Sequence, residues 1–221
     1  MKKVVIIAAA GRGNRLGAGI PKCLVKVNGH FIFEYLLKAF SWADEIRMVV
    51  GYKAEDVIRE VSGINPNVKF ILNEDYANTT TLQSNYLGTQ GLEGKAMFVD
   101  GDMILSKQTA EQLCGEYDKN EEFVGVAIDI SEDPVYAGVS QGQIEWFSYE
   151  KKANFEWANV ALLSVNKLEY LPTNFFTQIE KFLPLNSFEI ERLEVDTKED
   201  LMHAEDEIDK WNDRYDYWKN Q

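Results

Sequence analysis

Along residues 1–130, short apolar runs alternate with amphipathic stretches. Residues 4–10 (VVIIAAA) are apolar throughout, too few for a leader peptide core, and run into a Gly/Arg segment, which predicts a buried strand. Residues 46–50, closed by Gly51, repeat that signal, as do residues 68–72, 96–99 and 123–128. Residues 32–40, 54–61, 80–87 and 107–117 carry helical spacing between them. Strands alternating with helices predict α/β layering. The rhythm changes after Asp133. Residues 135–139 and 143–147 flank Ser140-Gln141-Gly142, the pattern of a hairpin, and residues 160–165 and 188–195 read as two further strands. Near the end, Leu201, Ala204, Ile208, Trp211, Tyr215 and Trp218 follow one another at three- and four-residue spacing, a single apolar stripe on a long helix. That stripe is expected to pack on its own domain or on another chain.

Composition changes this picture little. Apolar residues make up 45% of the 221, enough for a globular core. No run approaches the roughly 18 apolar residues of a membrane span. Cys23 and Cys114 are isolated and fit neither a disulfide nor a metal pattern, so a cytoplasmic location is expected. Charge changes the picture more. The net charge of −13 disfavours binding to nucleic acid or to anionic membranes. Yet the first carboxylate is Glu34, and residues 1–33 hold six cations: Lys2, Lys3, Arg12, Arg15, Lys22 and Lys26. The rest of the chain carries 17 basic and 36 acidic residues. A basic segment in an acidic chain predicts a focused anion site.

Candidate chemistry collects where strands end. The first strand runs into Gly11-Arg12-Gly13-Asn14-Arg15, and Pro21-Lys22 follows. Glycines let a backbone approach a ligand closely, and loop N–H groups can converge on phosphate oxygens. Arg suits bidentate phosphate contact and Lys acts as a point charge. The string is neither a Walker A loop nor the dinucleotide fingerprint. Val99-Asp100-Gly101-Asp102 ends a second strand, where α/β sheets bind ligands; two acids there call for a cation or donors. Leu193-Glu194-Val195-Asp196 ends a third, where Asp196, Thr197 and Asp200 precede the last helix as candidate cap residues. Between Asn73 and Ser84 lies a cluster of amides and hydroxyls that either reads a base edge or caps a helix through Asn78 or Thr79. Trp146, Phe147, Tyr149, Phe155 and Trp157 form either a cation–π box, with Glu150 adding charge, or ordinary core. His30 and His203 fall in a turn and on a charged helix face, so no catalytic histidine is expected.

Ala9-Ala10-Gly11-Arg12-Gly13-Asn14-Arg15 with Pro21-Lys22 resembles the signature loop of the nucleotidyltransferases of MobA-like NTP-transferase type. These include sugar-1-phosphate nucleotidylyltransferases and the bacterial phosphocholine and methylerythritol-phosphate cytidylyltransferases. The resemblance implies a three-layer, Rossmann-like α/β fold with a mainly parallel central sheet and a small β-rich acceptor lobe. Residues 1–221 would be one domain: an NTP-binding core over 1–130, an acceptor-binding part over 131–195 and a C-terminal helix over 196–221, with no second catalytic domain. The implied reaction moves a nucleoside monophosphate from an NTP, with CTP favoured, to a sugar-1-phosphate or phosphocholine-like acceptor, releasing pyrophosphate. A precursor of cell-surface polysaccharide would be a fitting product.

By the same resemblance, Ala9, Ala10, Gly11, Arg12, Gly13 and Asn14 wrap the NTP phosphates, and Arg15 and Lys22 neutralise them. Asp102 and Asp196 hold Mg²⁺, while Asp100 contacts the ribose or orients the loop. Asn73, Asn78, Thr79 and Ser84 match a phosphocholine-type pattern near the nucleotide. Gly138, Glu150, Trp157 and Asn159 fall in the acceptor region. The implied partners are an NTP and a small phosphorylated acceptor, without nucleic acid or membrane, and the C-terminal helix is the candidate oligomer contact. Two alternatives stand beside this reading. A nucleotide-sugar-dependent glycosyltransferase would have no use for a triphosphate loop bearing Arg15 and Lys22. A silent, nucleotide-sensing regulatory subunit would be expected to lack one of these cations or a metal acid.

Overall fold

The computed structural model describes residues 2–13, 17, 19–128 and 131–214, with side chains through Trp211. β1 (Val4–Ala9) forms from the first apolar run, and its Val5, Ile6 and Ile7 are wholly buried, as suits a strand covered on both faces. β2 (Lys26–Val27) and β3 (His30–Phe31) make a short antiparallel ladder of their own, and β1 lies between β4 (Glu45–Val50) and β6 (Lys95–Asp100), parallel to both, with β5 (Lys69–Leu72) outside β4. Beyond β6 the order continues through β11 (Phe155–Ser164), β8 (Phe123–Ala127), β12 (Leu185–Glu189), β10 (Gln143–Ser148) and β9 (Tyr136–Ser140). Tracing the pairings across this nine-stranded sheet of the described residues, only β11 and β10 run against the rest. The sheet is thus mainly parallel, and both reversed strands belong to the second half of the chain.

Helices cover both faces. α1 (Ile32–Ala39), α2 (Ala54–Ile64) and α4 (Lys107–Lys119) bury Phe33, Leu36, Val57, Val61 and Leu113 on one side. α3 (Thr81–Gly88) and α5 (Phe175–Glu180) bury Leu82, Phe175 and Ile179 on the other. Three layers result, as a two-sided parallel sheet requires. The hairpin forms between β9 and β10, its turn carrying Gln141 and Gly142 at φ 50° and 77°, the positive pair of a tight hairpin.

Two expectations change in detail. The run 188–195 is not one strand. β12 stays in the main sheet, and β13 (Arg192–Glu194) leaves it to pair antiparallel with β7 (Met103–Leu105). The strand expected over 160–165 is the second half of the longer β11. A third core cluster then explains the C-terminal stripe. On α6 (Lys198–Arg214), Ala204, Ile208 and Trp211 bury themselves against Leu193, Val195, Ile104 and Tyr35. Through Trp211 the stripe is used inside the domain; Tyr215 and Trp218 lie outside the described residues. Among the described residues no helix is long and apolar enough to cross a membrane.

Candidate active site

The carboxyl ends of β1 and β6 meet under tight steric control. Gly101 N–H donates to Ala8 O at 2.9 Å, and a Cβ at Gly101 would lie 2.9 Å from that same oxygen. Only glycine permits the approach that brings Asp100 and Asp102 beside the loop after β1. In that loop Gly13 adopts φ +61°, and a Cβ there would sit 2.6 Å from Lys22 Cγ. The loop therefore closes over the stem of Lys22. Pro21 leads into a short 3-10 turn, Lys22–Leu24, anchored by buried Cys23 and Leu24, which leaves Lys22 aimed inward. Together these segments and Thr81, the first residue of α3, line a cleft of about 210 Å³.

The β7–β13 ladder supplies the remaining acids. Glu194 pairs with Met103, and Val195 N–H donates to Asp102 O at 3.0 Å. Asp102, Glu194 and Asp196 consequently offer carboxylate oxygens that all lie within 4.8 Å of one another. Lys22 Nζ sits 2.7 Å from Asp102 Oδ2 and also pairs with Asp196 Oδ1. Of the three residues expected to cap the last helix, two do so. Asp200 Oδ2 accepts from the N–H groups of Asp196 and Thr197, and Thr197 Oγ1 accepts from Asp200 N–H, so the α6 cap is made by Thr197 and Asp200. The Asp196 carboxylate stays with Lys22.

Among the described residues, this pocket holds more carboxylates than cations. Burial, then the neighbouring Asp102 and Glu194, push Asp100 well above the usual carboxylate range. Burial and Asp102 likewise raise Glu194. Arg192 reaches Glu194 at 3.4 Å but is pulled by buried Glu156 at 2.8 Å, which also accepts from Ser131 N–H and Oγ–H. Asp102 Oδ1 is buried and meets no hydrogen-bond partner among the described residues. A buried lone acceptor inside a ring of acids is costly unless a cation completes it. Three carboxylates at this spacing fit a hard divalent cation. Cys23 also lines the cleft, but burial and Asp102 push its thiol up to about 12, so it is no nucleophile.

A second pocket of about 160 Å³ adjoins the first, sharing Thr81 and Asp100, and is walled by Trp157, Asn159, Asn174, Phe175 and Phe176. Asn159 stands at φ 56° within β11, where the pairing with β8 is interrupted between Trp157 and Ala161. Val135 and Tyr149 then lead to an acidic cavity of about 580 Å³ lined by Glu132, Asp133, Glu194, Asp196 and Asp200.

Several residues singled out in the sequence sit elsewhere. Asn14 and Arg15 lie outside the described residues. Of the six early cations, Lys2 and Lys3 are at the opposite end of β1, on Glu45 and Asp118, and Lys26 lies over Phe31, so the anion site is not the whole basic segment. Arg12 stacks on Tyr76 at 5.4 Å, which joins the glycine loop to the 73–84 segment. Asn73 is buried and donates to Thr79 Oγ1 and Ser84 Oγ, and Asn78 donates to Asp75. The α3 cap is Thr80 with Gln83, not Asn78 or Thr79. Five rings do not form one box. The Trp146 face is taken by Lys151 at 3.8 Å, and its edge packs on Gly138. Glu150 is in the exposed turn after β10. The rings that reach the pocket are Tyr149, Trp157, Phe175 and Phe176.

Sequence reasoning missed Thr81, Glu194 and Arg192. For Glu194 a signal existed: it stands two residues from Asp196 at a strand end, the spacing that puts two side chains on one face.

Comparisons agree with this construction. The description "MobA-like NTP transferase domain" matches residues 5–154. The Bifunctional protein GlmU of Campylobacter jejuni is 29% identical over 168 residues, covering 75% of this chain and 38% of that protein. That of Streptococcus thermophilus is 32% identical over 118 residues, 48% of this chain and 23% of its own. The chain thus spans less than half the length of these curated relatives. Among solved structures, the inositol-1-phosphate CTP transferase from T. maritima superposes with a TM-score of 0.79 at 15% identity, over 96% of both chains. The CTP:phosphocholine cytidylyltransferase of Streptococcus pneumoniae gives 0.77 at 20% identity, over 93% of this chain and 99% of that one. These two likenesses establish the fold. With the family description spanning residues 5–154, well over half of the sequence, the chain belongs to the MobA-like NTP transferase domain family.

Proposed function

We propose that the chain is a Mg²⁺-dependent nucleotidyltransferase that moves a nucleoside monophosphate from CTP to a small phosphorylated acceptor. The observation that carries this reading is the convergence of the glycine loop, Lys22 and three metal-competent carboxylates on one cleft, with a second pocket opening beside Asp100. An acceptor phosphate oxygen attacks the α-phosphorus. The bond from that phosphorus to the β-phosphate bridging oxygen breaks, and pyrophosphate leaves with the electron pair. The acceptor phosphate is already anionic near neutral pH, so no general base is required. The work of the protein is positioning and charge neutralisation. Bound to Asp102, Glu194 and Asp196, Mg²⁺ would supply positive charge to the phosphate oxygens. Backbone N–H groups of the glycine loop, Arg12, Arg15 and Lys22 would hold the triphosphate, with Asn73, Asn78, Thr79 and Ser84 shaping the base side.

The choice of CTP is supported by the resemblance of the 73–84 segment and by the two structural neighbours whose names include CTP. For the acceptor, the pocket of Trp157, Asn159, Phe175 and Phe176 opens by way of Tyr149 toward acids, with no basic residue in the lining among the described residues. An aromatic and acidic far wall favours an acceptor whose other end is cationic, such as phosphocholine. Pyrophosphate release measured across four NTPs and a panel of phosphocholine, phosphoethanolamine and sugar 1-phosphates tests the reading. Release with CTP and an ammonium-bearing acceptor is expected. Release with a sugar 1-phosphate and not with phosphocholine returns the sugar acceptor to first place, and no release with any pair overturns the transferase reading.

A further inference from the structure

Lys22 cannot serve the triphosphate and the metal carboxylates at the same time. Its ammonium lies 2.7 Å from Asp102 Oδ2 and pairs with Asp196 Oδ1, two of the three groups assigned above to the cation. The side chains of Lys22, Asp102 and Asp196 are only 19%, 20% and 16% exposed, so solvent screens this triad weakly. Ammonium and Mg²⁺ cannot share these oxygens, since two cations a few ångströms apart repel strongly in a half-buried site.

We propose that Lys22 is the resident counter-ion of the metal site, holding Asp102 and Asp196 while no nucleotide is bound and leaving them for the triphosphate when the nucleotide arrives with its cation. The inference rests on the reading of the site given above. Three features support the exchange. Lysine is a point charge on a flexible four-carbon stem, which can swing between two anionic partners without the fixed fork of arginine. The stem is hinged in one place, because the Gly13 backbone closes over Lys22 Cγ and leaves the tip beyond it. The new partner balances the loss of the old one. A metal arriving alone must displace the ammonium and leave it unpaired, whereas a metal arriving with a triphosphate brings four negative charges to receive it. The consequence is an order of binding: cation affinity is low in the resting enzyme and appears with the nucleotide.

The test is Mn²⁺ binding to the full chain without nucleotide, followed by electron paramagnetic resonance of the free ion. Lys22→Met is expected to bind Mn²⁺ about tenfold more tightly than the unaltered chain, or better. Lys53→Met is the control for general charge, since Lys53 bonds Gly19 O near the loop and pairs with none of the site acids among the described residues; it is expected to stay within about twofold. Lys22→Gln should tighten binding in the same way and keeps the experiment decisive if the Met variant fails to fold. Equal or weaker Mn²⁺ binding in the folded Lys22 variant overturns the proposal, as does equal tightening in Lys53→Met. The transferase reading fails separately, by absence of pyrophosphate release in the unaltered chain, so the two failures are told apart.

Discussion

The two ends of β1 hold ionic clusters made from the same residue types with opposite balances. At the amino end, the Glu45 carboxylate, 3% exposed, is shared by three cations: Arg47 at 2.6 Å, Lys2 at 2.5 Å and Lys69 at 2.7 Å. Arg47 also donates to Gly88 O and Gln90 O, closing the carboxyl end of α3. Burial alone would raise the Glu45 pKa, but the three hydrogen-bonded cations outweigh it and hold the group at about 2. At the carboxyl end, the cations that serve Asp100, Asp102, Glu194 and Asp196 among the described residues are Lys22 and an Arg192 already committed to Glu156, and burial raises Asp100 and Glu194. Ion pairing and burial are common to both ends, so neither marks a site. What separates them is surplus: an over-neutralised acid stabilises the fold, and an under-neutralised set creates demand for a cation.

The largest expected effect tests the under-neutralised end. Asp102→Asn keeps the side-chain shape and removes a ligand charge. Pyrophosphate release should fall by about 10³ or more, equivalent to about 4 kcal/mol of transition-state stabilisation, with partial recovery at high Mg²⁺ because Glu194 and Asp196 remain. Full activity at ordinary Mg²⁺ would remove Asp102 from the metal site. Next in size is Lys22→Ala. Loss of one charged phosphate contact should lower kcat/KM by about 10²–10³ with the fold intact. Near-normal kcat/KM in a folded Ala variant would take Lys22 out of the reaction.

At the other end the readout is stability. Glu45→Gln strips the shared acceptor charge and leaves Arg47, 11% exposed, without its carboxylate. A loss of about 2–3 kcal/mol at pH 7 is expected from denaturant unfolding, with unchanged metal binding. Because the folded pKa is depressed from 4.5 to about 2, the stabilisation by Glu45 is full above the unfolded value and disappears as pH falls from about 4.5 through about 2. The gap between the unaltered chain and the variant should therefore close over that window. A gap that persists at pH 2 would mean that shape, not charge, holds this end together.

The contrast between the ends also explains what could be read without the structure. The glycine loop, Lys22 and the Asp100-Gly101-Asp102 turn are local, and the strand-to-loop transition that exposes them is written in consecutive residues. The split of the basic segment is not local: Lys2 and Lys22 look like neighbours in the sequence, but the length of β1 puts them at opposite ends of a strand roughly 20 Å long. β7 is only three residues, Met103 to Leu105, too short for any period, yet its pairing with β13 is what brings Glu194 and Asp196 to Asp102. The first half of β11 was hidden for a related reason. Glu156 is buried in it at 1% exposure, a position made acceptable by Arg192 and Ser131, which reach it from 36 and 25 residues away. Six-residue α5, which walls the acceptor pocket with Phe175 and Phe176, is likewise shorter than two helical turns.

Asn85 stands between the two clusters as a buried polar group with neither surplus nor pairing. It is 0% exposed on α3, one turn beyond Thr81, and neither its Nδ2 nor its Oδ1 meets a partner among the described residues. Its neighbours on the helix, Leu82 and Gly88, face the sheet, where Gly88 packs on Ile6 and Val49. An amide in such a place forfeits its bonds to water and gains none in return, a cost of about 1–3 kcal/mol. Leucine has a similar branched outline, so Asn85→Leu should remove the cost with little overpacking. A gain of about 1–2 kcal/mol is expected, raising Tm by roughly 2–8 °C for a chain of this size. A fall in Tm would show that the amide is satisfied in solution. The same variant sharpens the contrast between the ends of β1 when its pyrophosphate release is measured beside its Tm. A higher Tm at an unchanged rate places Asn85 with the scaffold. A higher Tm with a raised acceptor KM shows that the packing of α3 at Asn85 sets the place of Thr81 in the pocket, so that the cost in stability is tied to the site.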